Sequence, residues 1–511
     1  MEYSSLILFD LNFTSILFRP SKEGLFQAGL LCSFLIVACE GFAQNRYLTV
    51  GTGATPMSLA GDYRSLGWNP SHITFSPLLD SNWNSAAGGF EMGMRLSAVA
   101  LEREDVWDAI WNRSKGETED WDTNAWSDYV NLLSNERIAI NADVVSAAWA
   151  KKWNNWGIAY SNTQHFQVEA FFSDETLALL IQGGSQQWTH WFDAFVTYSG
   201  DTLPNNGGFS ADQLLDFNSG LNLDGDALLS EILDDTKLGF SWHRSHCLGL
   251  SKAWEIGELT LHTGVSGRLL LGSGYFSIQN TEDGFDAFGA FANGFNVSSI
   301  AALSSGLPTE FEQLRTWGPV GQGWALDFGG VLEWEDKAWG TVSITDIGNM
   351  EWRGEQYNFN SLISNWSTPV SEPTNILDLV IGAMDPNTWF DAAEYQVRTV
   401  PHGITFQLGG GVRVGPLLTL AAEASFDNPD LIGNPGARLG ATAVVTPVRF
   451  LRGDIGISKW GNETTRVPAG LMVKTGKRGF ECGIQASDIQ ALWKSSQPEV
   501  GFRMVAMRWV W

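Results

Sequence analysis

The residues best suited to metal binding stand together as His243-Arg244-Ser245-His246-Cys247. Imidazole and thiolate groups are common ligands of zinc and other transition metals. On a β-strand, successive side chains point to opposite faces, so His243 and Cys247 would point one way and His246 the other. The three groups cannot easily share one ion, and the sequence predicts no metal site here.

Acidic residues form two further candidates. Asp327 and Glu333 share one face of an alternating stretch, but they are too far apart for a catalytic carboxylate pair. Residues 220–226 (GLNLDGD) with Glu231 partly match a calcium-binding loop. Gly220 stands where the loop needs an aspartate, and flanking helices are not evident. A solvated acidic loop is therefore the favoured interpretation.

Nucleophile and phosphate motifs are missing from the sequence. Ser245 and Ser251 lie near His243, but no Gly-x-Ser-x-Gly elbow occurs. Residues 409–411 are three glycines in strand context, without the Lys-Ser pair or helix that a phosphate loop requires. The sequence predicts no catalytic residue, no cofactor and no enzyme activity.

The elements that position these residues are strands, and residues 322–335 show their pattern most clearly. Apolar residues occupy one face and small or acidic residues the other, which indicates a β-strand with two different sides. The apolar face comprises Trp324, Leu326, Phe328, Leu332 and Trp334. Its two tryptophans would lie about 33 Å apart along a strand. With a tilt of about 40°, their vertical separation of about 25 Å equals the apolar band of an outer-membrane barrel. A strand with its apolar side in a soluble core is the alternative.

Composition favours the membrane interpretation. The chain has 511 residues, of which only 17% are charged, whereas about 25% is typical of soluble proteins. A mean hydropathy of −0.08 is too low for a helical membrane protein but suits a barrel, in which only alternate residues meet lipid. The net charge of −26 argues against nucleic acid as a partner.

The N-terminus resembles a secretory signal peptide, predicted over residues 1–43. An apolar run at 25–39 follows Arg19 and Lys22, and small residues precede a cleavage site after Ala43. Residues 36–39 (IVAC) also allow lipoprotein processing. No later stretch approaches 18 uninterrupted apolar residues. The mature chain is therefore predicted to be exported, either as a soluble periplasmic protein or as an outer-membrane barrel.

Strands are predicted throughout residues 89–511, about fourteen in all. The last strand, at 501–511, ends on an aromatic residue, as chains recognised by the outer-membrane assembly machinery usually do. Short helices are expected at 102–136 and 173–184. Four ranges are predicted as excursions from the barrel wall: 102–136, 201–235, 273–320 and 353–400.

The cysteines allow two interpretations. Cys32 and Cys39 fall in the predicted leader, and Cys247 and Cys482 remain in the mature chain. An oxidising compartment would allow a disulfide between the latter two, but separate packed thiols are favoured.

The alternation also assigns faces to individual residues. We predict a membrane girdle formed by Trp324, Trp334, Trp509 and Trp511, because indole rings prefer the membrane–water boundary. Three acidic residues are predicted to face the lumen: Asp327, Glu333 and Glu423.

Three motifs carry a resemblance to a known family. Residues 68–71 (WNPS) are similar to a "WNPA" signature, and residues 321–329 (GQGWALDFG) to a "GxGxxxDxG" strand. Residues 342–348 (VSITDIG), followed by Trp352, resemble an "SxxDLGxxxW" strand. Over most of its length the chain thus resembles the long-chain fatty-acid transporter superfamily of outer-membrane barrels. The resemblance is to its Bacteroidota branch, which contains the type IX secretion shuttle barrel and an uncharacterised outer-membrane family. Ser71 replaces the signature alanine, and the acidic segment before it is reduced to Asp62.

The resemblance implies a closed antiparallel transmembrane barrel of 14 strands with an N-terminal plug. The plug would span residues 44–88 and turn at Trp68, Asn69 and Pro70. The implied function is passage of small hydrophobic compounds, and the alternative is a secretion or surface-assembly partner acting through long loops. Expected partners are outer-membrane lipid, the assembly machinery, a hydrophobic ligand and, for the alternative, secretion-system proteins.

Overall fold

The computed structural model describes thirteen stretches of the chain. They are residues 49–79, 83–97, 137–173, 193–206, 217–221, 235–281, 284–292, 318–358, 391–427, 436–460, 465–475, 479–492 and 499–511. The predicted signal peptide and the predicted helices at 102–136 lie outside these residues, as does all but Ser173 of the helix predicted at 173–184. Most of the acidic loop that was compared with a calcium site also lies outside them.

Strands dominate the described residues. The helical segments are one α-helical turn, α1 at Pro56–Leu59, and three 3₁₀ turns at Asp62–Ser65, Pro70–Ile73 and Ile489–Leu492. The strands are β1 Ser85–Ser97, β2 Arg137–Trp153, β3 Trp156–Phe171, β4 Ala194–Thr197, β5 Thr202–Pro204, β6 Phe217–Leu221, β7 Lys237–Ile256, β8 Leu259–Thr281, β9 Gly284–Phe291, β10 Gly321–Trp334, β11 Ala338–Asn358, β12 Asp391–Pro401, β13 Thr405–Val414, β14 Leu418–Asp427, β15 Gly436–Val448, β16 Leu451–Trp460, β17 Ala469–Thr475, β18 Phe480–Ala486 and β19 Glu499–Val510. No helix in this part of the chain is long and apolar enough to cross a membrane.

Fourteen strands form a closed antiparallel barrel. The order around the ring is β1, β2, β3, β7, β8, β10, β11, β13, β14, β15, β16, β17, β18 and β19, and β19 pairs with β1. The predicted fold class is confirmed. β9 continues the position of β10, since both pair with β8 and β11. In the same way, β12 continues the position of β13 along β11.

The two ends of the barrel differ. One end, which we call the turn end, carries the tight hairpin turns and both terminal strand ends. Asn154, Glu335 and Asp336 adopt positive φ angles of 50°, 47° and 54° in two of these turns. Such angles suit short hairpins, because the turn twist then matches the strand twist. The opposite end, the loop end, receives the longer connections.

Several strands extend into ranges predicted as excursions. β8 continues to Thr281 and β9 follows at once, inside the range 273–320. β11 likewise reaches Asn358, within 353–400. Beyond the apolar band the outward face of β11 turns polar, with Glu351, Arg353 and Glu355 exposed, so the apolar-outward alternation ends while backbone pairing persists. β4, β5 and β6 form a separate three-stranded sheet, partly within 201–235.

The segment before β1 is the most buried part of the structure. We call residues 49–79 the plug. Its apolar side chains, including Met57, Leu59 and Ile73, are almost completely removed from solvent, and so are polar ones such as Asn69 and His72. The described barrel interior is therefore packed with protein at the level of the plug.

Candidate functional site inside the barrel

Glycines line the inner wall where the plug touches it. A Cβ built on any of nine of them would lie no more than 3.0 Å from a plug atom, so only glycine leaves room for the plug. They are distributed over nine strands of the ring: Gly88, Gly157, Gly249, Gly264, Gly329, Gly409, Gly440, Gly456 and Gly483. The wall is thus shaped for this segment around most of its circumference.

Asn69 fixes the plug corner that the sequence predicted as a turn. Its Oδ1 accepts hydrogen bonds from the Ser71 backbone N–H at 3.1 Å and the Ser71 hydroxyl at 2.5 Å, which caps the following 3₁₀ turn. Its Nδ2 donates to Thr341 Oγ1 at 2.6 Å and to the Val342 carbonyl at 3.2 Å. Pro70 occupies the first turn position, where its missing N–H is harmless. The corner is therefore a rigid joint between plug and wall.

Trp68 packs beside this corner, where it is largely buried. The Arg438 guanidinium lies 6.0 Å from its ring centroid. Arg438 also pairs with Glu423, and Glu423 accepts the Ser58 backbone N–H at 3.2 Å. Glu423, predicted to face the lumen, thus lies on the inner face and binds the plug.

A second ionic cluster joins the plug to the closing strands. Arg508 of β19 contacts both Asp62 of the plug and Glu481 of β18, and all three side chains are buried. Asp62 adopts a φ of 56°, and its Oδ1 also accepts the Arg64 backbone N–H. Buried charges are tolerated only when paired and hydrogen-bonded, so this plug position depends on the presence of β19.

Burial shifts the proton equilibria of two plug residues. Burial, reinforced by neighbouring His262, lowers the pKa of His72 from 6.5 to about 3, so its ring is neutral in the docked plug. Burial, with a contribution from Glu91, raises the pKa of Tyr63 well above its ordinary value. The Tyr63 hydroxyl therefore stays protonated and donates to Glu91 Oε1 at 2.6 Å.

A charged layer lies next to the plug on the loop-end side. Arg268 of β8 pairs with Asp327 of β10 and with Asp346 of β11 at 2.7 Å. Asp327 also accepts from the Ser266 hydroxyl at 2.7 Å and from the Asp346 backbone N–H at 3.0 Å. Asp346 has a φ of 67°, which a bulge in the β10–β11 pairing accommodates. The two aspartates of the resemblance motifs thus converge on one arginine, which the sequence analysis did not identify.

An aromatic cluster follows in the next layer toward the loop end. Its members are Leu270, Tyr275, Phe288, Ala290, Ala325, Met350 and Trp352. The Tyr275 and Trp352 rings stack at 5.1 Å, and Trp352 fills the space beside Gly272 and Gly321. Above it, the Arg398 guanidinium lies 4.6 Å from the Phe288 ring centroid and pairs with Asp286 at 2.6 Å. The tryptophan of the third motif is therefore the centre of a closely packed apolar cluster that is almost completely buried.

The remaining predicted residues lie near the turn end or on the outer face. Trp324, Trp334, Trp509 and Trp511 are between 39% and 57% exposed. Glu333 lies close to the plug, where its Oε2 is 3.2 Å from His262 Nε2. Asp327 and Glu333 therefore belong to different contacts and are not brought together.

The two histidines of the HRSHC sequence lie on opposite faces of β7. His246 Nδ1 is 2.9 Å from the Tyr160 hydroxyl on the outer face. His243 faces inward, with its ring centroid 5.0 Å from His165 and 6.3 Å from His402. No group of three potential ligands in the described stretches is arranged to hold a metal ion. Cys247 and Cys482 are free thiols.

Comparisons with known proteins give a family model and structural neighbours. Residues 229–389 match a family of unknown function, DUF5723. No curated protein matches the chain. The toluene transporter TodX of Pseudomonas putida aligns with 92% of this chain and 98% of its own, at a TM-score of 0.41 and 8% identity. The toluene transporter TbuX of Ralstonia pickettii gives the same coverage and TM-score with 9% identity. A FadL homologue of Pseudomonas aeruginosa aligns over 92% and 99%, with a TM-score of 0.29 and 12% identity.

Proposed function

We propose that this chain is an outer-membrane barrel that admits small hydrophobic compounds into its lumen from the loop end. The observation that carries the proposal is the inside–outside contrast of the ring. Outward positions are large, apolar and exposed, for example Leu248, Leu269, Leu439 and Ile457, each more than half exposed. A water-exposed apolar belt around a whole barrel would be strongly unfavourable in solution, but it is favourable in lipid.

The orientation follows from the two ends of the barrel. Transmembrane barrels of this kind have short periplasmic turns and longer external loops. The turn end, and with it the plug, therefore faces the periplasm in our proposal, and the aromatic cluster lies on the external side of the plug. A compound arriving from outside would reach the level of this cluster before it reached the plug, and it would bind by opening the packing around Trp352.

The aromatic cluster supports an apolar ligand. Binding sites for small molecules are mostly apolar, with a few polar groups that fix orientation. Here the apolar wall is interrupted by the paired Arg398 and Asp286 and by Gln356, whose Nε2 donates to Asp286 at 3.0 Å. A compact aromatic or aliphatic compound suits this surface. The alternative, a secretion partner, depends on long connections that lie largely outside the described residues.

Ligand binding to matched tryptophan variants tests the proposal. The purified barrel is titrated with an apolar fluorescent probe, using Trp352→Ala inside the barrel and Trp324→Ala on its outer face. We expect Trp352→Ala to weaken binding about tenfold or more, since a buried aromatic contact contributes about 1–3 kcal/mol. Trp324→Ala should leave affinity unchanged. Equal affinities for both variants, or no binding by the wild type, would exclude the interior surface as the ligand site.

Membrane placement is tested separately. Outer-membrane fractionation and heat-modifiable gel migration of both variants report whether the chain inserts as a folded barrel. Recovery of the folded chain in the soluble periplasmic fraction would contradict the proposal whatever the probe shows.

A further inference from the structure

The outer face of β2, β3 and β7 carries two lysines within a cluster of tryptophans near the turn end. Lys151 stands on β2 and Lys252 on β7, both at outward positions of the alternation. Four partly exposed tryptophans flank them on the same face: Trp149, Trp153, Trp156 and Trp254. Nothing in the proposed passage of compounds through the lumen uses this external patch.

Lys252 is held in a defined position. Its ammonium nitrogen lies 4.7 Å from the ring centroid of Trp156 and 3.7 Å from that of Trp254. Cation–π attraction at these distances orients the charge against both indoles. The Trp254 ring is itself anchored, since its Nε1–H donates to Thr263 Oγ1 at 3.1 Å. The charge is therefore fixed beside two rings that prefer the membrane–water boundary.

The strand register places the second lysine within reach of the same headgroup. On β3, Lys151 pairs with Ile158 and Lys252 with Trp156, two residues further along. Two strand spacings and two residues of rise put the lysine Cα atoms about 12 Å apart. The Lys151 side chain is long and flexible, so its ammonium group can reach a phosphate that also contacts the ammonium group of Lys252.

The patch is positively charged although the chain carries a net charge of −26. Along β2, β3 and β7, no acidic residue occupies an outward position between the turn end and His246. Glu255 stands at an inward position of β7, and Glu258 lies in the following turn. In the described part of the chain, no carboxylate forms an ion pair with Lys151 or Lys252.

We propose that Lys151 and Lys252 bind the phosphate of a glycerophospholipid in the leaflet at the turn end. The ammonium groups pair with the phosphate, and Trp156 and Trp254 pack against the glycerol and upper acyl region. This inference rests on the membrane placement proposed above. One oriented cation, with a second within reach of the same anionic group, explains why lysines stand within an otherwise aromatic belt. No comparable pair of unpaired lysines occurs elsewhere on the outer face of the described strands.

Native mass spectrometry of the full chain, released from vesicles of defined composition, tests the site. The lipid probes are phosphatidylglycerol and a galactosyl diacylglycerol, which has similar acyl chains but lacks phosphate. We expect one tightly retained phosphatidylglycerol on the wild type. Binding should weaken at least tenfold in the Lys151→Gln/Lys252→Gln variant. The control Lys337→Gln removes an exposed turn-end lysine that already pairs with Glu335 at 2.5 Å, and it should leave retention unchanged.

Three outcomes would overturn the inference. Undiminished retention by the double variant would mean that the lysines do not hold the lipid. Equal retention of the galactolipid would assign binding to the indoles alone, and displacement of the lipid by inorganic phosphate would assign the site to a free anion. Failure of the chain to insert into vesicles, shown by absent heat-modifiable migration, would instead contradict the proposed function. A barrel that inserts without lipid preference leaves that function intact.

Discussion

Substituting Gly264 by alanine should force the plug away from the wall while leaving the barrel intact. Gly264 stands on the inner face of β8, directly against the plug corner. A methyl group built there would lie 2.6 Å from the Pro70 carbonyl oxygen and would overlap the backbone at Pro70 and Ser71. Backbone cannot rotate aside as a side-chain tip can, so the corner must shift by about 1 Å.

The size of the effect follows from the contacts at this corner. Asn69 donates to Thr341 and to the Val342 carbonyl, and the Ser251 hydroxyl donates to the Ser71 carbonyl at 3.0 Å. Each such hydrogen bond contributes about 1 kcal/mol net. Losing two of them, or retaining them with overpacking strain, costs about 2–3 kcal/mol of docking free energy. This corresponds to about a 30- to 150-fold larger undocked population.

Trypsin reports that population directly. Arg64 is the single lysine or arginine between residues 49 and 79, and its side chain is buried in the docked plug. Cleavage after Arg64 therefore requires undocking, and its rate follows the open population when redocking is faster than cleavage. We expect the Gly264→Ala variant to release the fragment beginning at Ser65 about 30- to 150-fold faster than the wild type.

Gly267→Ala is the matched control. Gly267 lies three residues further along β8 on the outer face, and a methyl there would meet only Leu326 at an ordinary 3.6 Å. Both variants should keep wild-type heat-modifiable migration. Equal cleavage rates in Gly264→Ala and the wild type would refute the close fit between plug and wall, and equal acceleration by Gly267→Ala would assign the effect to the strand itself.

Two further predictions follow from the charged groups. Arg268→Met should destabilise the barrel by about 3–5 kcal/mol in urea unfolding, because Asp327 and Asp346 would be left buried without a cation, and adding Asp327→Asn and Asp346→Asn should recover most of that loss. The folded-state pKa of His72 is about 3, below its unfolded value of 6.5, so the docked plug binds fewer protons and is fully favoured above pH 6.5. Docking should weaken as pH falls from 6.5 toward 3, by about 2–3 kcal/mol at pH 4.5, visible as faster hydrogen exchange in plug peptides after correction for intrinsic rates. The His72→Gln variant should lose this part of the pH dependence, and an unchanged profile would exclude His72 as its source.

The sequence predicted the strands well where both faces differ chemically. In β10, the predicted outward residues Trp324, Leu326, Phe328, Leu332 and Trp334 are all exposed, and Ala325, Asp327 and Val331 between them are buried. The count of about fourteen strands was also predicted, because each tight turn leaves a visible break in the pattern, whereas closure of the ring was implied by the family resemblance. The ends of β8 and β11 were placed too early, since the apolar-outward pattern used to recognise strands stops before the backbone pairing does.

The interior site was only partly predictable. Asp327 was assigned to the inner face by its place in the alternation of β10, but its partner Arg268 lies 59 residues away in the chain. Their contact depends on the β8–β10 register, and that of Asp346 depends on a bulge, neither of which periodicity encodes. The plug itself came from the family resemblance. The contacts of its many polar and glycine residues could not be predicted, because they depend on which wall residues face them.

The pairing of Asp62 with Arg508 links the middle of the plug to β19. The two residues are 446 positions apart, and β19 also completes the ring by pairing with β1. The Asp62 carboxylate therefore lacks its Arg508 partner until β19 has been synthesised and has paired with β1. A chain truncated before β19 would lack both the β19–β1 pairing that closes the ring and the cation that pairs with Asp62. The plug can therefore take up its final position only after the barrel has closed.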